Sequence, residues 1–286
     1  MTKIIDSLGW ILRRTTDTKK ISAFYEHTLE IPIIRLHDEN IIHWCGGTTV
    51  IGFNKIQKQQ SLKEKSSENF IMIFKVQSIE SVLSHNLLIV NNAELNNIND
   101  TVFLKDQEGI VFGIKEMSKN KPDYFDRYWN KRILKTKPTL NNKYTLRNNF
   151  LGITSIVIRS QNWHDNAYFY KNNFKFKMIK KNNNSIELAI DNYTNFIFMH
   201  SSIKNKEHGT RLDSKQTIVF RSSNATSIAD QLINKKQQLL EKPHITADNS
   251  GKVFYFHDLS GQIFGIQTRI NSDRIEDIVA EKLQNS

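Results

Sequence analysis

The chain has 286 residues, enough for one large or two ordinary domains, and it can bury a sizeable core even at a hydrophobic fraction of 38%. Its single cysteine, Cys45, excludes a disulfide framework and any cysteine-cluster metal site. Forty basic against 29 acidic residues leave a net charge of +11. No nucleic-acid-binding motif accompanies that charge, so it reads as a solvated surface of a Lys-, Asn- and Ile-rich chain. No apolar leader follows Met1, and no apolar run reaches the roughly 18 residues of a membrane span, which predicts a soluble, cytoplasmic protein.

Residues 8–15 are apolar and β-branched and read as a strand. Asp17 can then cap a helix over residues 18–29, where Ile21, Phe24, Tyr25 and Leu29 recur at helical spacing. Strands follow at 31–37, 41–45 and 48–54, the last two joined at Gly46-Gly47, a hairpin signal. Residues 56–69 are polar and loop-like. The order then restarts with a strand at 70–76, a helix capped by Ser78 through Ile79, Val82 and Leu83, and strands at 87–90, 101–104 and 110–116. The first half is thus two βαβββ units.

Residues 119–148 break the pattern. They hold Pro122, Pro138 and many basic residues but only Asp123 and Asp126 on the acidic side. Tyr124, Phe125, Tyr128 and Trp129 share one face of a short helix, which reads as an apolar brace between domains rather than a platform for single-stranded nucleic acid. Leu151-Gly152 then repeats Leu8-Gly9, Asn162 takes the place of Asp17, and Phe169-Tyr170 matches Phe24-Tyr25. Strands are expected at 153–160, 174–180, 185–190 and 195–200, a polar loop at 201–214, and a strand at 216–221. A helix over 226–240 and strands at 244–246, 253–257 and 263–268 complete the half, before an amphipathic tail over 272–283.

The firmest mark is a turn that recurs. Asp106-Gln107-Glu108-Gly109-Ile110-Val111-Phe112-Gly113-Ile114 returns as Asp258-Leu259-Ser260-Gly261-Gln262-Ile263-Phe264-Gly265-Ile266, at a constant offset of 258 − 106 = 264 − 112 = 152. In each copy the Asp can bond its own downstream backbone, the first Gly can take a positive φ, and an apolar strand follows. The fold class is therefore α+β, with a domain over 1–118, a basic linker over 119–148, a second domain over 149–270 and a tail over 271–286. Each half is expected to fold its two units onto one eight-stranded cup, and the halves to superpose.

Asp17 with Phe24-Tyr25 and Leu29, Asn162 with Phe169-Tyr170, and the two Asp-x-x-Gly endings resemble the vicinal oxygen chelate superfamily. That group includes glyoxalase I, bleomycin-resistance proteins, fosfomycin-resistance enzymes and extradiol ring-cleavage dioxygenases. The resemblance covers nearly the whole chain outside the linker and tail. It implies a divalent metal on the concave face of a cupped sheet, held by a His on the first strand of each unit and a Glu on the last. Those positions fall here on Trp10, Ile71, Gly113, Ser155, Thr217 and Gly265, none of which is a metal ligand. No metal or other cofactor is therefore expected, and no catalytic residue is assigned.

What these positions offer instead is a lining. The first half supplies Trp10, Leu12, Ile71, Ile73 and Gly113, and the second Ser155, Val157, Thr217, Val219 and Gly265. The two glycines would leave space, the indole would supply a stacking surface, and the two hydroxyls would orient a polar group. The expected function is capture of a small, partly apolar molecule in a metal-free pocket, as the resemblance to the bleomycin-resistance branch implies. The alternative is a metal-dependent glyoxalase- or dioxygenase-like enzyme with non-standard ligands, for which His43, His200 and His257 are the candidates. Cys45 reads as a buried, inert thiol. The expected partner is a small molecule, not nucleic acid or a membrane, with a homodimer left open.

Overall fold

The computed structural model describes residues 4–37, 40–45, 49–56, 70–118, 149–192, 194–202, 214–246, 249 and 251–269. The expected linker over 119–148 and tail over 271–286 lie outside the described residues, as do most of the polar stretches 56–69 and 201–214. The first unit is β1 (Ser7–Thr15), α1 (Thr18–Leu29), β2 (Ile33–His37), β3 (Asn40–Trp44) and β4 (Val50–Lys55). The second is β5 (Phe70–Val76), α2 (Ile79–Leu83), β6 (Thr101–Lys105) and β7 (Val111–Glu116). The third is β8 (Phe150–Ser160), α3 (Trp163–Phe174), β9 (Lys177–Lys181), β10 (Ser185–Ala189) and β11 (Asn195–His200). The fourth is β12 (Gln216–Arg221), α4 (Ala225–Asn234), β13 (Leu239–Ile245), β14 (Gly251–His257) and β15 (Ile263–Arg269).

Local chemistry explains the element ends. The Asp17 side chain accepts from the Lys20 N–H at 2.9 Å and so caps α1. Asn162 does not cap α3 in the same way; its amide donates instead to the Leu259 carbonyl at 3.0 Å, tying the helix start to the recurring turn. Helix α4 stops at Asn234, short of the expected 240, because Lys236 turns into the left-handed region at φ 62. The strand expected over 87–90 shrinks to a bridge between Ile89 and Leu104, and the Asn-rich stretch after it forms a single 3-10 turn at Leu95–Asn97. That loss leaves the second unit one strand short, hence a sheet of seven rather than eight.

The sheets pair units across the halves. One eight-stranded sheet runs β13-β14-β15-β12-β1-β4-β3-β2, and a seven-stranded one runs β6-β7-β5-β8-β11-β10-β9. The first unit therefore shares a sheet with the fourth, and the second with the third, so the expectation that each half closes its own cup is corrected. The joints are antiparallel, β1 on β12 with Ile11 opposite Ile218, and β5 on β8 with Met72 opposite Ile156. All four joining strands are rich in apolar residues, and alternation along a strand says which face is buried but not which strand lies alongside. The helix-bearing faces of both sheets contribute to one contiguous apolar core, including Ile11, Phe74, Ile156 and Phe220. Among the described residues no helix is long and apolar enough to cross a membrane.

Candidate functional site

The recurring turns are the anchors that hold the units of one half together. Asp106 accepts the N–H groups of Glu108 and Ile110 at 2.9 and 3.0 Å, and Gly109 takes φ +75. Its other carboxylate oxygen reaches the first unit, accepting from the Tyr25 hydroxyl at 3.1 Å and from the Arg13 guanidinium. Arg13 also donates to Tyr25 at 2.7 Å and to Glu108 at 2.9 Å, and Thr15 donates to Glu108. Burial opposes the charge on Arg13, but Tyr25, Asp106 and Glu108 outweigh it and hold the guanidinium above its ordinary pKa. Asp258 repeats the turn, accepting from Ser260 and Gln262 N–H groups and, across units, from Asn166 at 2.9 Å and Tyr170 at 3.3 Å. Most of these polar groups are buried, and they brace one unit against the next.

The histidine candidates do not converge. His43 is buried on the core side of β3, with one ring nitrogen 2.7 Å from the Ser22 hydroxyl and the other 2.9 Å from the Ile31 carbonyl. Burial lowers its pKa to about 4, partly offset by the Ile31 bond, so it is a neutral structural histidine. His257 lies in the same sheet on β14, while His200 is exposed at the end of β11 in the other sheet. Cys45 is buried and its thiol is pushed up by burial, as befits an inert side chain. Among the described residues no three His, Cys, Asp or Glu side chains group as they would around a metal ion. The positions to which the resemblance assigns metal ligands carry indole, alkyl, hydroxyl and hydrogen side chains, which do not fit such a donor set.

Pairing across halves regroups the expected lining residues. On the open face of the first sheet, away from its helices, Trp10 lies opposite Val219, Val219 beside Gly265, and Gly265 opposite Tyr255. Leu12 lies opposite Thr217 on the same face. On the second sheet Ile73 stands beside Gly113 and opposite Ser155, and Ile71 stands opposite Val157. The sets read from each half as one lining are therefore split between two faces. Nor do the glycines leave space. A Cβ on Gly265 would sit 2.8 Å from the Tyr255 ring, and one on Gly113 would meet Thr101, Ile73 and Phe103 at 2.9–3.1 Å. Gly265→Ala should therefore cost about 1–3 kcal/mol by overpacking, read from the urea midpoint; an unchanged midpoint would show the ring yields freely. Trp10 joins two apolar clusters, one with Ile42 and Val50 and the other with Val219, Val253 and Tyr255, so side chains occupy this face.

The second sheet keeps a cavity of about 300 Å³. Ile73, Ser155, Asn195 and Ile197 form its floor, and the lining includes Thr101, Lys115, Thr154, Lys180, Ser185 and Glu187 from the strands, Asn182 from the β9–β10 turn, and Asn97, Ile98 and Asp100 from the stretch before β6. A β-bulge shapes that floor. Ile73 pairs with Ser155, but Phe74 pairs with Ile153, leaving Thr154 as the extra residue. The bulge brings two successive side chains, both hydroxyls, to the cavity. Of the expected residues, Ile73 and Ser155 line the cavity, while Ile71 and Val157 belong to the apolar cluster on the same face. Asn195 and Glu187 were not foreseen as site residues. Their only sequence signal is polarity at alternate positions of short strands, between Ile186 and Leu188 for Glu187 and before Phe196 for Asn195.

No protein-family model and no curated protein matches the sequence. Solved structures do match the fold. A glyoxalase I variant from Zea mays superposes with a TM-score of 0.61 at 12% identity, over 92% of this chain and 93% of that one. Glyoxalase I from the same plant gives 0.59 at 13% identity, over 98% and 95%. A Bacillus subtilis protein described as a presumed dioxygenase gives 0.64 at 10% identity, over 98% and 91%.

Proposed function

Because the chain has the tandem glyoxalase-like fold of the vicinal oxygen chelate superfamily, we propose that it captures a small, partly apolar molecule in the cavity of the second sheet, without a metal held by the protein. The observation that carries this reading is the cavity itself. It sits on the open face, has apolar floor residues in Ile73 and Ile197, and is otherwise lined mostly by polar groups, among them Ser155, Thr154 and Asn195 on the floor. A cavity of about 300 Å³ is at the small end of ligand pockets and suits a compact metabolite or antibiotic fragment. The first sheet is the poorer candidate because Trp10 and Tyr255 pack over its open face.

A thermal-shift screen of metabolites and antibiotics, run with elemental analysis, tests the reading. A specific ligand at 100 times its Kd should stabilise the fold by about 2.7 kcal/mol, with stoichiometric capture and no turnover. Ser155→Phe, which fills the cavity, should abolish that gain while the protein stays folded. About one Fe, Mn, Ni or Zn per chain in the purified protein, with activity that depends on it, would replace binding by the metalloenzyme alternative.

A further inference from the structure

We infer that the cavity of the second sheet recognises a primary or secondary ammonium group carried on a short apolar body. This rests on the pocket reading above and adds the chemistry of its ligand. The decisive atom is Oδ1 of Asn195. The residue is only 4% exposed, and that oxygen has no hydrogen-bond partner. The amide nitrogen of the same side chain donates to Glu187 at 3.3 Å, which fixes the orientation: the carboxylate must accept, so the nitrogen faces Glu187 and the oxygen is the acceptor left over. A buried acceptor without a donor costs free energy that a bound N–H group would recover.

The surroundings narrow the donor. Ser155 lies directly across the strand pair from Asn195, and Glu187 lines the same cavity. Asn195 thus shares the cavity with a hydroxyl and a carboxylate. The carboxylate favours a positively charged donor over a neutral one, because charge-assisted hydrogen bonds are about twice as strong. Lys180 pairs with Glu187 across β9 and β10 but is itself exposed, so its charge is screened by solvent. Lys115 and Asp100 also line the cavity, and they offset each other in sign. Ile73 and Ile197 flank the polar spot and would cover a few methylenes.

The test titrates the full-length protein with n-butylamine as its ammonium ion, n-butanol and butyrate, three probes of one size that differ in their head group. Backbone and side-chain amide NMR signals of Ser155, Asn195 and Ile197 report binding. The ammonium probe should bind at least tenfold more tightly than the alcohol or the carboxylate. Asn195→Leu and Glu187→Gln should each reduce that preference at least tenfold; the glutamine retains a partner for Asn195, so that variant should fold even if the leucine does not. Equal binding of the three probes, tighter binding of butyrate, or a preference that survives Glu187→Gln overturns the ammonium assignment and leaves the pocket reading standing. Signals that none of the probes moves would take away the pocket reading together with this one.

Discussion

Replacing Asp106 with alanine should destabilise the protein by about 3–5 kcal/mol, because it strands a buried guanidinium. The Arg13 side chain is fully buried, and Asp106 is its buried counter-ion. Glu108 remains, but a quarter of its side chain is exposed, so it is a weaker partner in a more polar setting. Tyr25 loses an acceptor, and the N–H groups of Glu108 and Ile110 lose the oxygen that shapes the turn. A double-mutant cycle with Arg13→Met separates these contributions. In the methionine background there is no charge to strand, so Asp106→Ala should cost much less, and the difference is the coupling between the two residues. Urea denaturation reads both. A cost below about 1 kcal/mol for the single substitution, or equal costs in the two backgrounds, would mean the ion pair contributes little to holding the first unit against the second.

Tyr170→Ala should cost a similar amount, about 3–5 kcal/mol, and here the loss is packing. The ring centroid stands 5.2–6.4 Å from those of Phe174, Phe176, Phe196, Phe198, Phe220 and Phe264, so its removal opens a cavity at the centre of an aromatic cluster. Tyr170→Phe keeps the ring and removes only the hydroxyl that donates to Asp258, for about 1–2 kcal/mol. Asp258 also gives a pH signature. Burial raises its pKa above the ordinary carboxylate value, although Ser260, Asn166 and Gln262 donate to it and oppose the rise. The folded chain therefore holds that proton more tightly than the unfolded chain does. Its contribution to stability is complete below the ordinary aspartate pKa and is lost as the pH rises through the folded value. Comparing Asp258→Asn with the parent across that range should show a flatter stability profile; parallel profiles would mean the carboxylate ionises freely in the fold.

Sequence alone determined what depends on neighbours a few residues away. Asp17 caps α1, and Asp106 and Asp258 bond backbone two and four residues downstream, so four units and their turns follow from spacing. Residue type alone also showed that the positions to which the resemblance assigns metal ligands carry Trp10, Ile71, Gly113, Ser155, Thr217 and Gly265. Tertiary structure decided everything that depends on which strand lies beside which. β1, β5, β8 and β12 have no local feature that chooses a partner, and the choice of β12 for β1 and β8 for β5 moved Ser155 beside Ile73 and Thr217 beside Leu12. The same non-local packing set Asp106 against Arg13, 93 residues away, and laid Tyr255 over Gly265 where the sequence promised space. It also left one acceptor of Asn195 unfilled beside Glu187, since only the assembled sheet shows which polar side chains found partners and which did not.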